Sequence, residues 1–343
     1  SNGNFAVLQG RWAHLTRHES WLTEAQALGI DGHFAVEQGA RAWNALMMNF
    51  NGTAGVWRRA ALEDPQVGGW SADTLTEDLV LSYRAQLAGW KIEYCFDLAA
   101  PAELPNTIEA LKSQQRRWAT GSMQVARKLL PRIWVSRMSL GRKLEATFHL
   151  THYSVSFWML ILALVARPVA YATLGKEVSQ PAIGVGWLAI LLATFAPSFV
   201  YAYARYALGE KWSGLRTIPS MLVLGCGMCI NNSLAVVRGL FLRGGEFVRT
   251  PKSGSVTGGA RRSSYQTSCS RLWIAELVLG VYTLFTFVEY LAMEHRMISL
   301  FMLIYAAGFL TTGFISMPRR KRAADALSSF SAPKPPVEPA AGS

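Results

Sequence analysis

The sequence predicts an α/β domain followed by a membrane domain of α-helices. Residues 1–135 combine short strand-like segments with capped helical segments and scattered charge, as a globular domain does. Residues 145–317 contain long apolar runs flanked by Lys and Arg, which is the pattern of cytoplasmic membrane boundaries. We attribute the net charge of +12 to the membrane. Nucleic-acid binding would require basic residues interleaved with aromatic ones on a soluble face, and none is found.

The first half of the globular region predicts a strand, a helix and a glycine-rich turn. Phe5–Arg11 reads as a buried strand, and Glu19–Trp43 as a helical stretch interrupted near its glycines. Asn49–Arg59 is strand-like at its ends. Gly52 and Gly55 in its middle fit either a tight turn or a close approach of the backbone to a ligand.

An acidic turn follows. Thr74 and Glu77 have the spacing of a capping box, so a helix is expected to begin here and to end at Gly89. Asp78 then lies in the first turn, where an acid complements the helix dipole. The functional alternative is that Asp78 is a general base at the edge of a cleft, with the dipole favouring its charged form. The strand Lys91–Asp97 would fix this helix on a sheet.

The next helix has a face suited to a sugar phosphate. It is expected to begin at a capping box formed by Asn106 and Glu109. Gln114, Arg117 and Trp118 stand at i, i+3 and i+4 and therefore share one face. A guanidinium pairs with phosphate, and an indole covers the apolar face of a sugar ring. The alternative is an amphipathic surface helix with one buried Trp.

Four spans and one interface helix are predicted in the apolar region. Glu145–Leu174, Pro181–Tyr206, Leu272–Met293 and Met297–Met317 are each long enough to cross a bilayer. Ile218–Leu242 has positive charge at both ends, which places both ends in the cytoplasm. We therefore expect it to lie in the interface or to re-enter from it.

Cysteine and histidine usage indicates no metal site and no disulfide framework. Cys226 and Cys229 form a C-x-x-C inside an apolar helix, where small residues for close helix packing are the expected reason. The pairs His14/His18 and His149/His152 lack a third ligand nearby.

Two motifs at this separation resemble a known family. Thr76-Glu77-Asp78, then Gln114-x-x-Arg117-Trp118, then paired spans, look like the family 2 processive glycosyltransferases of the cellulose-synthase and mannan-synthase group. The resemblance implies the C-terminal half of a GT-A-type glycosyltransferase domain, followed by interface helices and about four transmembrane helices.

The resemblance also implies roles for individual residues. Asp78, in the motif Thr76-Glu77-Asp78, would be the catalytic base. The helix face would bind the acceptor sugar and the diphosphate. Two further segments match the family's acceptor-side strand and the F-x-x-T-x-K gating loop, which carries over the residues Gly52, Thr53, Phe247, Thr250 and Lys252.

The resemblance further implies partners and a cofactor. The donor would be a nucleotide sugar, UDP-glucose or GDP-mannose, and the acceptor a polysaccharide or glycolipid, with no nucleic acid. The family's metal-binding D-x-D would precede Ser1, so we expect a C-terminal part of a longer protein. Mg²⁺ or Mn²⁺ would be required by the full-length protein, its ligands mostly lying outside this chain. The resemblance thus implies an inverting transferase that adds a hexose to a growing β-linked polysaccharide at the membrane. Single-sugar transfer to a lipid and a transporter with a cytoplasmic domain are the alternatives.

The expected location is the bacterial inner membrane, with a cytoplasmic catalytic domain and several membrane passes. The expected organisation, in chain order, is a catalytic half-domain (1–104), an interface helix with Q-x-x-R-W (105–143), a transmembrane pair (144–206), an interface helix with the gating loop (207–271), a second transmembrane pair (272–317) and a disordered tail (318–343).

Overall fold

A computed structural model describes residues 3–173, 180–245 and 271–318. Its sheet has three strands in the order β2-β1-β3, formed by β1 (Phe5–His14), β2 (Gly55–Trp57) and β3 (Lys91–Ala102). β1 pairs antiparallel with β2 and parallel with β3. The two strands predicted at Phe5–Arg11 and Lys91–Asp97 are confirmed as β1 and β3, and both are longer than expected. The segment 49–59 forms a strand only at its three central residues.

Helices cover this sheet and lead from it to the membrane region. They are α1 (Trp21–Asp31), a π-helix (Gly32–Gln38), α2 (Gly39–Trp43), α3 (Arg59–Leu62), α4 (Glu77–Leu87) and α5 (Ile108–Val135). The predicted interruption near the first glycines is a π-helical segment, so the helix changes its winding without ending. The core between α4 and α5 is built from residues such as Val80, Tyr83, Val125 and Leu129, all of them buried.

Both predicted capping boxes are wrong. α4 begins after Thr76, which makes no side-chain capping bond, and the hydroxyl of Thr74 is buried without a hydrogen-bond partner among the described residues. α5 begins after Thr107, whose hydroxyl accepts from the amide of Ala110 at 3.3 Å. Asn106 is therefore one residue too early. A sequence with two candidate caps side by side does not specify which of them adopts the extended conformation that a cap requires.

The membrane region consists of α6 (Leu140–Thr151), α7 (Ser154–Thr173), α8 (Gln180–Ala207), α9 (Ile218–Gly227), α10 (Cys229–Phe241), α11 (Leu272–Ala292) and α12 (Arg296–Ser316). The predicted span from Glu145 is thus two helices, because the chain turns at His152 and Tyr153.

Three described helices are long and apolar enough to cross a membrane: Ser154–Ala172 within α7, and the whole of α11 and α12. The pair α9–α10 passes the same test only if its two parts are taken together, and it bends by 51° between them. α8 has 28 residues, which is sufficient length for a crossing. That α9–α10 does not cross the membrane remains a prediction.

The C-x-x-C packs tightly against α12, as predicted for small residues. Cys226 and Cys229 are buried, and a Cβ atom on Gly227 would lie 2.4 Å from the methyl group of Thr312. α9 and α12 therefore approach each other at a distance that only a glycine allows.

Buried ion pairs join the globular domain to the membrane helices. Lys112 Nζ on α5 lies 2.7 Å from the carboxylate of Glu276 on α11, and both side chains are almost fully buried. Arg205 on α8 is 1% exposed and contacts Asp31 at 2.9 Å. These contacts fix the position of α5 and α1 relative to the membrane helices.

Candidate active site

The acidic turn and the helix α5 meet at a glycine. A Cβ atom on Gly121 would lie 2.5 Å from the methyl carbon of Thr76, closer than real contacts allow. Only a glycine at this position lets the Thr76–Asp78 turn rest directly on α5. Gln124 adds a hydrogen bond, since its side-chain oxygen accepts from the amide of Leu75 at 3.0 Å. The first of the two sequence motifs is therefore attached to the helix that carries the second.

Asp78 lies at the end of this turn, next to the glycine-rich loop. A Cβ atom on Gly52 would lie 2.9 Å from Asp78 Oδ2, and Gly52 has a φ of +72°, which favours glycine. The backbone of the loop therefore approaches the carboxylate as closely as it can. Asp78 Oδ1 accepts from the amide of Leu79 at 2.8 Å.

Burial raises the pKa of Asp78 to about 6. The hydrogen bond from Leu79 and the positive charge of Arg117 lower this pKa, while the charge of Glu77 raises it. The bond from the Leu79 amide at the helix N-terminus favours the charged form of Asp78, as expected, but desolvation outweighs it and leaves the pKa above its ordinary value. An acid with a pKa near 6 is ionised at neutral pH and is a stronger base than an ordinary Asp.

The predicted face of α5 is present. Trp118 lies beside Trp12 of β1, with ring centroids 6.3 Å apart, and Gln114 is buried. Arg117 is close enough to Asp78 for their charges to interact. A carboxylate, a guanidinium and an indole therefore share one region.

A cavity of about 560 Å³ connects this region to the membrane helices. Its wall includes Asp78, Gln114, Trp118 and Thr76, all of them predicted site residues. It continues to residues of the membrane region such as Tyr201. A volume of this size is typical of a ligand site.

The other predicted site residues that the structure describes do not line this cavity. Glu77, Arg117 and Gly52 border the site without lining the cavity, and Thr53 is exposed, its carbonyl accepting a bond from Gln9. Three further predicted residues lie outside the described part of the chain, namely Phe247, Thr250 and Lys252.

Sequence reasoning missed several polar residues that build the site. Gln9 is fully buried on β1, donates to the carbonyls of Thr53 and Ala54, and accepts from the amide of Asn51. It therefore holds the glycine-rich loop in place. His33 and Glu37 of the π-helix also line the cavity. A buried-strand pattern interrupted by a glutamine was the available signal for Gln9.

The described residues offer no metal site. No group of three His, Cys, Asp or Glu side chains among residues 3–173, 180–245 and 271–318 is arranged to hold an ion. Members of the glycosyltransferase family that the two motifs resemble generally use a divalent metal. The described residues therefore do not form a complete site for such an ion, and no chemical step is assigned to it.

Comparison with known proteins identifies the family. Residues 2–204 match the family described as glycosyl transferase family group 2, which is more than half of the chain. The chain belongs to this family. The resemblance noted from the two motifs is thereby confirmed.

Named relatives come from plants. The chain is 30% identical over 320 residues to glucomannan 4-beta-mannosyltransferase 7 of Arabidopsis thaliana. The aligned region covers 91% of this chain and 55% of that protein. It is 28% identical over 328 residues to glucomannan 4-beta-mannosyltransferase 1 of Cyamopsis tetragonoloba, covering 91% of the chain and 59% of the relative. The chain thus spans little more than half the length of these relatives.

The expected bacterial inner membrane finds no support in these comparisons, because the relatives reported are plant proteins. The coarser expectation holds: three described helices are able to cross a membrane.

Proposed function

We propose that the full-length protein transfers a hexose from a nucleotide sugar to a growing β-linked polysaccharide at a membrane. The supporting observation is that Asp78, Gln114 and Trp118 line one cavity, with Arg117 beside Asp78. The names of the relatives favour a mannosyl donor and a β-1,4 linkage. GDP-mannose is therefore the first donor to test, and UDP-glucose the second.

In the proposed reaction Asp78 takes the proton of an acceptor hydroxyl. The hydroxyl oxygen attacks the anomeric carbon of the donor from the face opposite the leaving group. The bond between that carbon and the phosphate oxygen breaks, and a nucleoside diphosphate leaves with the bonding electrons. The anomeric configuration is therefore inverted.

The helix α5 supplies the binding groups for this step. Arg117 presents a planar guanidinium that suits a diphosphate and balances the charge that develops on the leaving group. Trp118 and its neighbour Trp12 present indole surfaces to the apolar face of an acceptor ring. Gln114 provides an amide for hydroxyl groups.

The extension of the cavity into the membrane region supports an exit route for the product. Met159, Met221 and Met228, which come from α7 and the α9–α10 pair, line its far part. An unbranched thioether presents an adaptable apolar surface to a passing chain. We propose that the polymer leaves the catalytic cavity between these helices.

Isolated membranes containing the full-length protein test the proposal. They are incubated with radiolabelled GDP-mannose or UDP-glucose, and the polymer is digested with β-mannanase or β-glucanase. We expect labelled polymer that only one of the two enzymes degrades, and none with Asp78→Asn. A single labelled sugar extracted with lipid would favour the glycolipid alternative. Absence of incorporation from either donor would refute the proposal.

A further inference from the structure

The cavity has a second carboxylate that the proposed reaction does not use. Glu37 and Asp78 are the two acidic residues on its wall within the described residues. Glu37 belongs to the π-helix Gly32–Gln38, and 42% of its side chain is accessible. Short π-helical segments are frequent at functional sites. This carboxylate therefore needs an explanation of its own.

The geometry around Glu37 keeps it ionised. Its Oε1 accepts from Arg41 Nη2 at 2.9 Å and from Arg41 Nε at 3.1 Å. Its Oε2 is 2.8 Å from Nδ1 of His33, one helical turn away. Burial raises the pKa of Glu37, but the hydrogen-bonded contact with His33 and the charge of Arg41 outweigh it and hold this pKa well below its usual range.

A chain of hydrogen bonds fixes the orientation of His33. Gln38 Nε2 donates to the backbone carbonyl of Asn49 at 2.9 Å and, at the same distance, to Oδ1 of Asn51. Asn51 Nδ2 is thereby left to donate to His33 Nε2 at 3.2 Å. In this arrangement Nδ1 of His33 carries the proton and donates to Glu37. The imidazole acts as a positioning group, and Glu37 is oriented before any ligand binds.

Asn51 ties this pair to the reaction centre. It directly precedes Gly52, whose backbone lies against Asp78, so the contacts with His33 and with Asp78 are made by consecutive residues. His33 is followed by Phe34, whose ring lies 5.5 Å from that of Trp12. The pair is therefore adjacent to the aromatic surface.

We propose that Glu37 binds hydroxyl groups of an acceptor sugar in the cavity and is a specificity-determining residue for the acceptor. The inference rests on the proposed function, since it places a polysaccharide acceptor in this cavity. An ionised, pre-oriented carboxylate next to indole surfaces suits a hexose, whose ring has an apolar face and hydroxyl groups at its edge. Charge-assisted bonds to hydroxyl groups are about twice as strong as neutral ones.

Direct binding tests this assignment without requiring turnover. The full-length protein, solubilised in detergent, is titrated with mannohexaose and with cellohexaose by isothermal calorimetry in the absence of donor. We expect the wild type to bind one of them and Glu37→Gln to bind it about tenfold more weakly or worse, with donor binding unchanged. The matched control is Glu63→Gln, because Glu63 also pairs with an arginine four residues away, Arg59, but lies on the exposed surface.

The outcomes separate this inference from the proposed function. Binding that depends on Glu37, without any sugar transfer by the wild type, would refute the function and keep the inference. The inference would be overturned if the wild type bound neither hexasaccharide. It would also be overturned if Glu37→Gln kept its affinity, or lost no more affinity than Glu63→Gln. If Glu37→Gln fails to accumulate, His33→Gln retains the pair with Arg41, and we expect a loss of threefold or more. Unchanged affinity in that variant would also overturn the inference.

Discussion

Replacing Asp78 by Asn should remove activity and at the same time stabilise the protein. The variant is nearly isosteric, and its side-chain oxygen can still accept the bond from the amide of Leu79. Without a base for the acceptor proton, transfer should fall by about 10² to 10⁴. Stability should change in the opposite direction, because the folded protein holds a carboxylate where burial disfavours its charge.

The size and sign of this effect follow from the pKa. The pKa of Asp78 rises from 3.8 to about 6 on folding, and each unit corresponds to about 1.4 kcal/mol. The full shift would correspond to about 3 kcal/mol; because Asp78 is only partly buried, we discount this to about 1–2 kcal/mol. Below about pH 4 both states are protonated and the penalty vanishes. It develops as the pH rises from the unfolded pKa to the folded pKa, so the variant should gain stability over wild type between about pH 4 and pH 6 and keep that gain at higher pH.

Thermal unfolding in detergent at pH 4.5 and pH 7.5 measures this gain. We expect Asp78→Asn to unfold a few degrees above wild type at pH 7.5, and the difference to shrink to about a third of that value at pH 4.5. The control is Asp73→Asn on the same loop. Asp73 pairs with Lys128, and that bond lowers its pKa, so this variant should gain nothing at neutral pH. The reasoning would be refuted if Asp78→Asn were less stable than wild type at pH 7.5. It would also be refuted if the variant kept a transfer rate within about threefold of the wild-type rate.

Three further predictions concern two helix contacts and the membrane topology of α9–α10. Lys112→Ala leaves Glu276 buried without its cation and should destabilise the protein by about 3–5 kcal/mol in thermal unfolding. The double variant Lys112→Met, Glu276→Met should restore most of that stability. Equal stability of the single and the double variant would contradict this prediction. Gly121→Ala places a methyl group against the acidic turn and should lower transfer, measured as polymer yield, while donor binding stays; full activity would show that the turn can move. Cysteines at Ser213 and Arg243 should both react with a cytoplasmic reagent, and labelling from opposite sides would make α9–α10 a span.

The sequence by itself determined the features that are encoded within a few neighbouring residues. Helical spacing predicted α5 and the shared face of Gln114, Arg117 and Trp118, because 3.6 residues per turn fix that face whatever packs against it. Apolar length predicted α11 and α12. The pair of motifs predicted the family, and the family match confirmed it.

Only the tertiary structure decided what depends on packing between distant segments. The pKa of Asp78 is set mainly by burial in the fold, which outweighs the hydrogen bond from the neighbouring amide of Leu79. The polar residues of α10 have a similar explanation, since Asn231 bonds both Arg116 and the backbone of Lys112 on α5. The close contact of Gly121 with Thr76 and the place of Glu37 on the cavity wall depend on segments that are distant in the sequence. Periodicity is a local property of the chain, whereas desolvation and long-range hydrogen bonds belong to the assembled fold.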